Sequence, residues 1–142
     1  MSTPSVHDNA AFAAAGPLVS VLIPFLRDDP SDLLTQLSAE ADALNGSTEV
    51  IVMDDGTGDP ALTERLRALI DSLPLPIRLI SLPSNEGRAQ GRNRLTTAAR
   101  AAAFLFLDSD MRPDSSNFLQ NWIALARDGA PAVAFGGFSL DA

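Results

Sequence analysis

The chain has no cysteine and no lysine, and its single histidine, His7, lies close to the amino terminus. Without cysteine there can be no disulfide, no thiolate nucleophile and no cysteine-ligated zinc or iron–sulfur centre. All ten basic residues are arginines, so chemistries that need an ammonium group on phosphate are excluded. The P-loop lysine is missing, as is the lysine of haloacid-dehalogenase-like phosphatases and receiver domains, which also carry their aspartates on strand one. With histidine confined to the leading residues, no Ser-His-Asp set can be assembled from the rest. No G-x-G-x-x-G follows the first predicted strand, where Pro24-Phe25-Leu26 stands instead, and this argues against a dinucleotide-binding domain. No apolar run approaches the ~20 residues that span a bilayer, and no basic n-region marks a signal peptide. A cytoplasmic protein without a membrane span is therefore expected. The net charge of −8 argues against nucleic acid and anionic membrane as partners.

What is present is enough for one domain with a sizeable core, at 142 residues. Residues 1–17 are small, polar and alanine-rich, and read as a disordered lead-in with His7 free at the surface. Residues 18–142 read as the folded domain. Val19-Ser20-Val21-Leu22-Ile23 is a β-branched apolar run stopped by Pro24. Glu49–Met53, Ile77–Leu82, Ala102–Leu107 and a short Ala132–Phe135 read as further strands. Between them, Asp29-Pro30 and Asp59-Pro60 are N-caps with proline at the first helical position. Leu33, Leu34, Leu37, Ala41 and Leu44 have helical spacing, closed by Asn45-Gly46. Leu62, Leu66, Leu69 and Ile70 form a second stripe. A third helix covers Arg88 to about Arg100, and a fourth carries Phe118, Leu119, Trp122, Ile123 and Ala126 after Pro113-Asp114. Strands alternating with helices predict an α/β fold with a mostly parallel sheet and helices on both faces.

In such sheets ligands bind beyond the carboxyl ends of the strands, where strand order reverses. The unusual polar residues fall at those ends. Pro24-Phe25 follows strand one, Asp54-Asp55-Gly56-Thr57 strand two, Asn85-Glu86-Gly87 strand three and Asp108-Ser109-Asp110 strand four. Asp54-Asp55-Gly56 reads either as a turn or as a carboxylate accepting from a base N–H, with the glycine open to close ligand approach. Arg88, Arg92 and Arg94 read either as a solvated helix face or as cations for a diphosphate. Asp108 and Asp110 leave an extended chain on the same side. They are either a cap and turn or, with substrate phosphates, a site for Mg²⁺ or Mn²⁺.

These four segments, in this order, resemble the inverting glycosyltransferases of family 2, with the GT-A fold. The segments that carry the resemblance are Val19–Pro24, Val50–Thr57, Asn85-Glu86-Gly87-Arg88-Ala89-Gln90-Gly91-Arg92-Asn93 and Phe106–Asp110, a DxD element. The resemblance implies a nucleotide-diphospho-sugar donor, with a UDP-sugar favoured by family habit. It implies donor contacts from Pro24, Phe25, Asp54, Asp55, Gly56, Asn85, Gly87, Arg88, Arg92, Asp108 and Ser109. Asp110, with Asp108, would hold Mn²⁺ or Mg²⁺. Leu95 departs from the family, which often has a small residue there. In the family the catalytic base lies after the Gly-Gly region, so none is expected within 1–142. The domain at 18–142 is then expected to be truncated on its carboxyl side. A homo-oligomer through the surface so exposed, and no transfer by this chain alone, would follow. The competing function is a non-catalytic nucleotide-sugar-binding or regulatory module.

Overall fold

A computed structural model describes residues 3–129. Its framework is a five-stranded sheet in the order β1-β4-β3-β2-β5. The strands are β1 (Ser5–Asp8), β2 (Val19–Phe25), β3 (Thr48–Asp54), β4 (Ile77–Ser81) and β5 (Ala103–Phe106). β2, β3, β4 and β5 run parallel, and only β1 is antiparallel, against β4. The chain therefore steps outward from β2 through β3 to β4, then returns to the other side of β2 to make β5. That reversal puts the switch point between β2 and β5, where the carboxyl ends of both strands meet.

The central strands β2 and β3 are apolar on both faces because helices cover both. Val21, Ile23, Val50, Val52, Ile77 and Leu79 pack under α2 (Ser31–Ser38), α3 (Ala41–Leu44), α4 (Pro60–Ser72) and α6 (Phe118–Arg127). Leu22, Ile51, Met53 and Ile80 pack under α1 (Ala10–Ala14) and α5 (Arg88–Ala98). Leu95 is fully buried in that second layer. Gly91 brings α5 close to the sheet, since a Cβ there would lie 2.9 Å from Met53 Cε. Bulk at Leu95 and its absence at Gly91 fit α5 onto β3. Among the described residues, no helix is long and apolar enough to cross a membrane.

Several expectations need correction. The segment read as a disordered lead-in supplies β1 and α1, and the cause is a single buried amide. Asn9 Nδ2 donates to the carbonyls of Ile70 and Leu75 at 2.8 Å each, and its Oδ1 accepts from the N–H groups of Phe12 and Ile77. His7, expected to be free, contacts Asp71 at 2.9 Å. Pro24 does not stop β2, which runs on to Phe25. β5 pairs with β2 only as far as Leu22, and Leu107 N then donates to Leu22 O. By strand alternation Pro24 faces the side that β5 has left, so its missing N–H breaks no ladder bond.

The helix expected across Leu33–Leu44 is broken at Ala39-Glu40. Glu40 is buried, and its carboxylate accepts from the N–H groups of Leu119 and Gln120. It thus caps α6 from a distant part of the chain, where free N–H groups favour a carboxylate. The helix does not start directly after Pro113-Asp114: α6 begins only at Phe118. At the amino ends of β2 and β3 Glu49 is wholly buried and accepts from Ser20 Oγ, Arg100 N and Arg100 Nε. Arg100 also lies 3.8 Å over the Phe12 ring. The predicted strand Ala132–Phe135 and Gly136-Gly137 lie outside the described residues.

Candidate functional site

The parallel strands bring the four polar segments to one edge of the sheet, in two clusters. The first is built on the end of β3. Asp55 N donates to Phe25 O, and Leu82 N donates to Asp54 O, so β2, β3 and β4 are joined just past their ladders. Asp54 is buried, and its Oδ1 accepts from Thr57 N at 2.9 Å, so the side chain closes the turn three residues on. Asp55 is only 8% exposed. Its carboxylate accepts from Glu86 N at 2.8 Å, Gly87 N at 3.2 Å and Asn85 Nδ2 at 3.2 Å. A carboxylate offers about four lone-pair directions, so this one is mostly used in shaping the 85–87 loop.

Gly56 has φ +83°, and a Cβ there would lie 2.3 Å from both Asn85 N and Ser84 C. The close approach that glycine allows is thus made by the protein's own backbone, not left open to a ligand. Phe25 needs a similar correction: its side chain is buried in the core, and only its carbonyl serves the cluster. Pro24 beside it is half-buried.

The 85–87 loop delivers α5. Gly87 has φ +90° at the helix start, a conformation glycine adopts without strain. Arg88 and Arg92 are exposed, and their i, i+4 spacing puts them on the same side of α5. Arg92 lies 4.9 Å over the Phe106 ring, which joins α5 to the exposed flank of β5. Arg94 differs from these two. Its guanidinium forms a two-point pair with Glu86 at 2.6 and 3.0 Å. That bond holds the Glu86 carboxyl below its ordinary range and raises Arg94.

The second cluster follows β5. Asp108 and Asp110 are exposed on either side of Ser109, which is 9% exposed. Met111 N donates to Asp108 O and closes the turn. Ser109 Oγ donates to Asp28 Oδ2 at 3.1 Å, tying the turn to the β2–α2 loop. Beside it a cleft of about 150 Å³ is lined by Asp29, Asp32, Gln36, Asp110 and Arg112 among others. Among the described residues, no group of three or more His, Cys, Asp or Glu is placed to hold a metal ion. The donors at hand are carboxylates alone, which suit a hard cation whose remaining positions are filled by water or phosphate oxygen.

Two contributors gave little warning in sequence. Asp28 and Arg27 lie just ahead of the Asp29-Pro30 cap, and nothing in their spacing points to a partner. Arg27 adopts φ +61°, a left-handed conformation uncommon away from glycine and asparagine. Its N–H donates to Thr57 Oγ1 at 2.8 Å. The loop 25–28 therefore touches both clusters.

Residues 20–140 match the family described as Glycosyl transferase family 2. Among curated proteins, none matches the chain. Among solved structures, one similar chain is the mannosyltransferase PcManGT from Pyrobaculum calidifontis, in complex with GDP-Man and Mn²⁺. It has a TM-score of 0.67 and 21% identity, over 82% of this chain and 33% of that one. Another is S. aureus TarS 1-349 in complex with UDP-GlcNAc, with a TM-score of 0.61 and 25% identity, over 78% of this chain and 31% of that one. The chain thus spans about a third of the length of these structures. The sheet order and the helices on both faces are those of the GT-A fold. With the match running from strand β2 beyond the last described residue, the chain belongs to glycosyltransferase family 2.

Proposed function

We propose that this chain binds a nucleotide-diphospho-sugar together with a divalent cation, as the donor-binding part of an inverting glycosyltransferase. The observation that carries this reading is the pair of unlike turns that follow β3 and β5, the two neighbours of β2. One is buried and closed by hydrogen bonds; the other offers two exposed carboxylates. Both solved relatives hold nucleotide sugars, and one of them also holds Mn²⁺, which supports the same assignment here.

In this reading Pro24, Asp54, Asp55, Gly56, Asn85 and Gly87 form the wall against the nucleobase. The Asp55 carboxylate keeps at most one direction free for a base N–H. Arg88 and Arg92 supply positive charge toward the diphosphate, a task that suits the guanidinium group. Asp110 and Asp108 would hold Mn²⁺ or Mg²⁺, and Ser109 fixes their turn. When bound, the cation would act as a Lewis acid that neutralises charge on the diphosphate leaving group. The chain's own part is to orient the donor so that the anomeric carbon faces an acceptor hydroxyl. A general base must take that hydroxyl's proton. We assign the base to none of Asp55, Asp108 and Asp110, since the first shapes a loop and the others face the donor. UDP is the nucleotide we favour.

Calorimetric titration with UDP, GDP and TDP, in Mn²⁺ and in EDTA, tests the reading. We expect one of them to bind in Mn²⁺ and to lose most of its affinity in EDTA. Equal affinity in both buffers would remove the cation from the site, and no binding by any of the three would remove the donor.

A further inference from the structure

The β2–α2 loop is hydrogen-bonded to both turns. Phe25 O accepts from Asp55 N, Arg27 N donates to Thr57 Oγ1, and Asp28 Oδ2 accepts from Ser109 Oγ. Between the first and last of these bonds lies Arg27 in its left-handed conformation. Such a backbone state is strained for a side chain other than glycine and persists only where the surroundings hold it. Here Thr57 holds it from the side of the buried turn, and the next residue reaches across to the exposed one.

Asp28 is itself exposed, so burial does not explain its place. Its partner Ser109 stands between Asp108 and Asp110. A hydroxyl donated to a carboxylate is a charge-assisted bond, and this one fixes which way the neighbouring carboxylates leave the turn. The 108–110 segment is also closed by the backbone bond from Met111 N to Asp108 O.

We infer that Asp28 is a positioning residue for the cation-binding turn. It acts through Ser109, and the Arg27–Thr57 contact anchors it to the nucleobase-side turn. The inference rests on the donor-binding reading for its functional consequence, but its structural half stands apart. Asp28 touches neither donor nor cation in this account. It sets the direction of the Asp108 and Asp110 side chains before either arrives.

The test compares Asp28→Ala, Asp28→Asn and Ser109→Ala with the parent chain, using two readouts. Hydrogen exchange at the Met111 amide, without ligand, reports the order of the turn. We expect Asp28→Ala and Ser109→Ala to speed it by about tenfold, the order expected for losing one charge-assisted hydrogen bond. Asp28→Asn keeps an acceptor oxygen and should restore most of the protection. Calorimetry with UDP and GDP in Mn²⁺ gives the second readout. Here Asp28→Ala should weaken the metal-dependent affinity by a similar factor while leaving the affinity in EDTA unchanged, and Asp28→Asn should recover it. Unchanged exchange in Asp28→Ala overturns the inference, whatever the binding does. Equal losses in Asp28→Asn and Asp28→Ala overturn it too, because charge and not positioning would then be at work. Altered exchange in a chain whose parent binds no nucleotide with Mn²⁺ would retain the positioning role and reject the donor-binding reading.

Discussion

The two turns that follow β3 and β5, on either side of β2, are made of the same residue type and built in opposite ways. At Asp54-Asp55 both carboxylates are buried and engaged with backbone N–H groups of their own turn or of the 85–87 loop. At Asp108-Asp110 both are exposed, and the turn is held by one side-chain bond and one backbone bond. The first pair spends its charge on the protein and creates a finished wall. The second keeps its charge available at the surface. One aspartate pair is therefore architecture in the free chain, whereas the other stays exposed to solvent.

That contrast predicts opposite results from small substitutions on the two sides. The largest effect should come from Gly56→Ala. The added methyl would meet the Ser84-Asn85 backbone and would sit at a φ costly for any L side chain. We expect a loss of about 3 kcal/mol in urea unfolding, together with loss of nucleotide binding. A stability change below about 0.5 kcal/mol, the range of ordinary surface substitutions, would show that the 84–87 loop is not packed there.

Asp55→Ala comes next. It leaves the Glu86 and Gly87 N–H groups without their acceptor, so stability should fall by about 2 kcal/mol. Nucleotide affinity should fall equally in Mn²⁺ and in EDTA. Asp110→Ala is the mirror of this. Stability should stay within about 0.5 kcal/mol, as expected for an exposed residue, while the difference in affinity between Mn²⁺ and EDTA disappears. If both variants behaved alike in both assays, the distinction between the turns would collapse.

The smallest effect is on the acid side. Glu86, held below its ordinary range by Arg94, is charged at neutral pH in both folded and unfolded chains. The stability it contributes is therefore fully present above the ordinary glutamate range. It is lost as pH falls from that range through the lowered folded-state value. Glu86→Gln should leave the stability profile above that range parallel to the parent's and flatten it slightly below. Urea midpoints measured from neutral pH down into that range check the sign, and a parent less stable at neutral pH than in acid would reverse it.

How far these features were legible in sequence follows the range of the interactions that make them. β2 and β3 announce themselves because a strand buried on both faces is apolar through its middle, as Val21-Leu22-Ile23 and Val50-Ile51-Val52-Met53 are. Asp59 caps α4 as its spacing with Pro60 foretells, its Oδ1 accepting from Leu62 N. β1 and α1 were not legible, because they depend on Asn9 reaching carbonyls more than sixty positions away. The break at Glu40 and the cap it gives α6 have the same origin, at a separation of 79 positions. Within the site, the four strand-end segments were readable from residue type and order. That Phe25 faces the core, that Gly56 meets the 84–85 backbone and that Asp28 reaches Ser109 depends on how loops fold back. No local spacing encodes that.

Mn²⁺ itself offers the most direct test of the division between the two turns, since it broadens the amide resonances of nearby residues. The measurement is a Mn²⁺ titration of the amide spectrum with saturating UDP, or GDP if that is the nucleotide that binds. We predict broadening centred on residues 108–111 that requires the nucleotide, with residues 54–57 perturbed by the nucleotide even without Mn²⁺. Broadening centred on Asp54-Asp55, or loss of every nucleotide-induced shift at 54–57 when Mn²⁺ is withheld, would contradict the account.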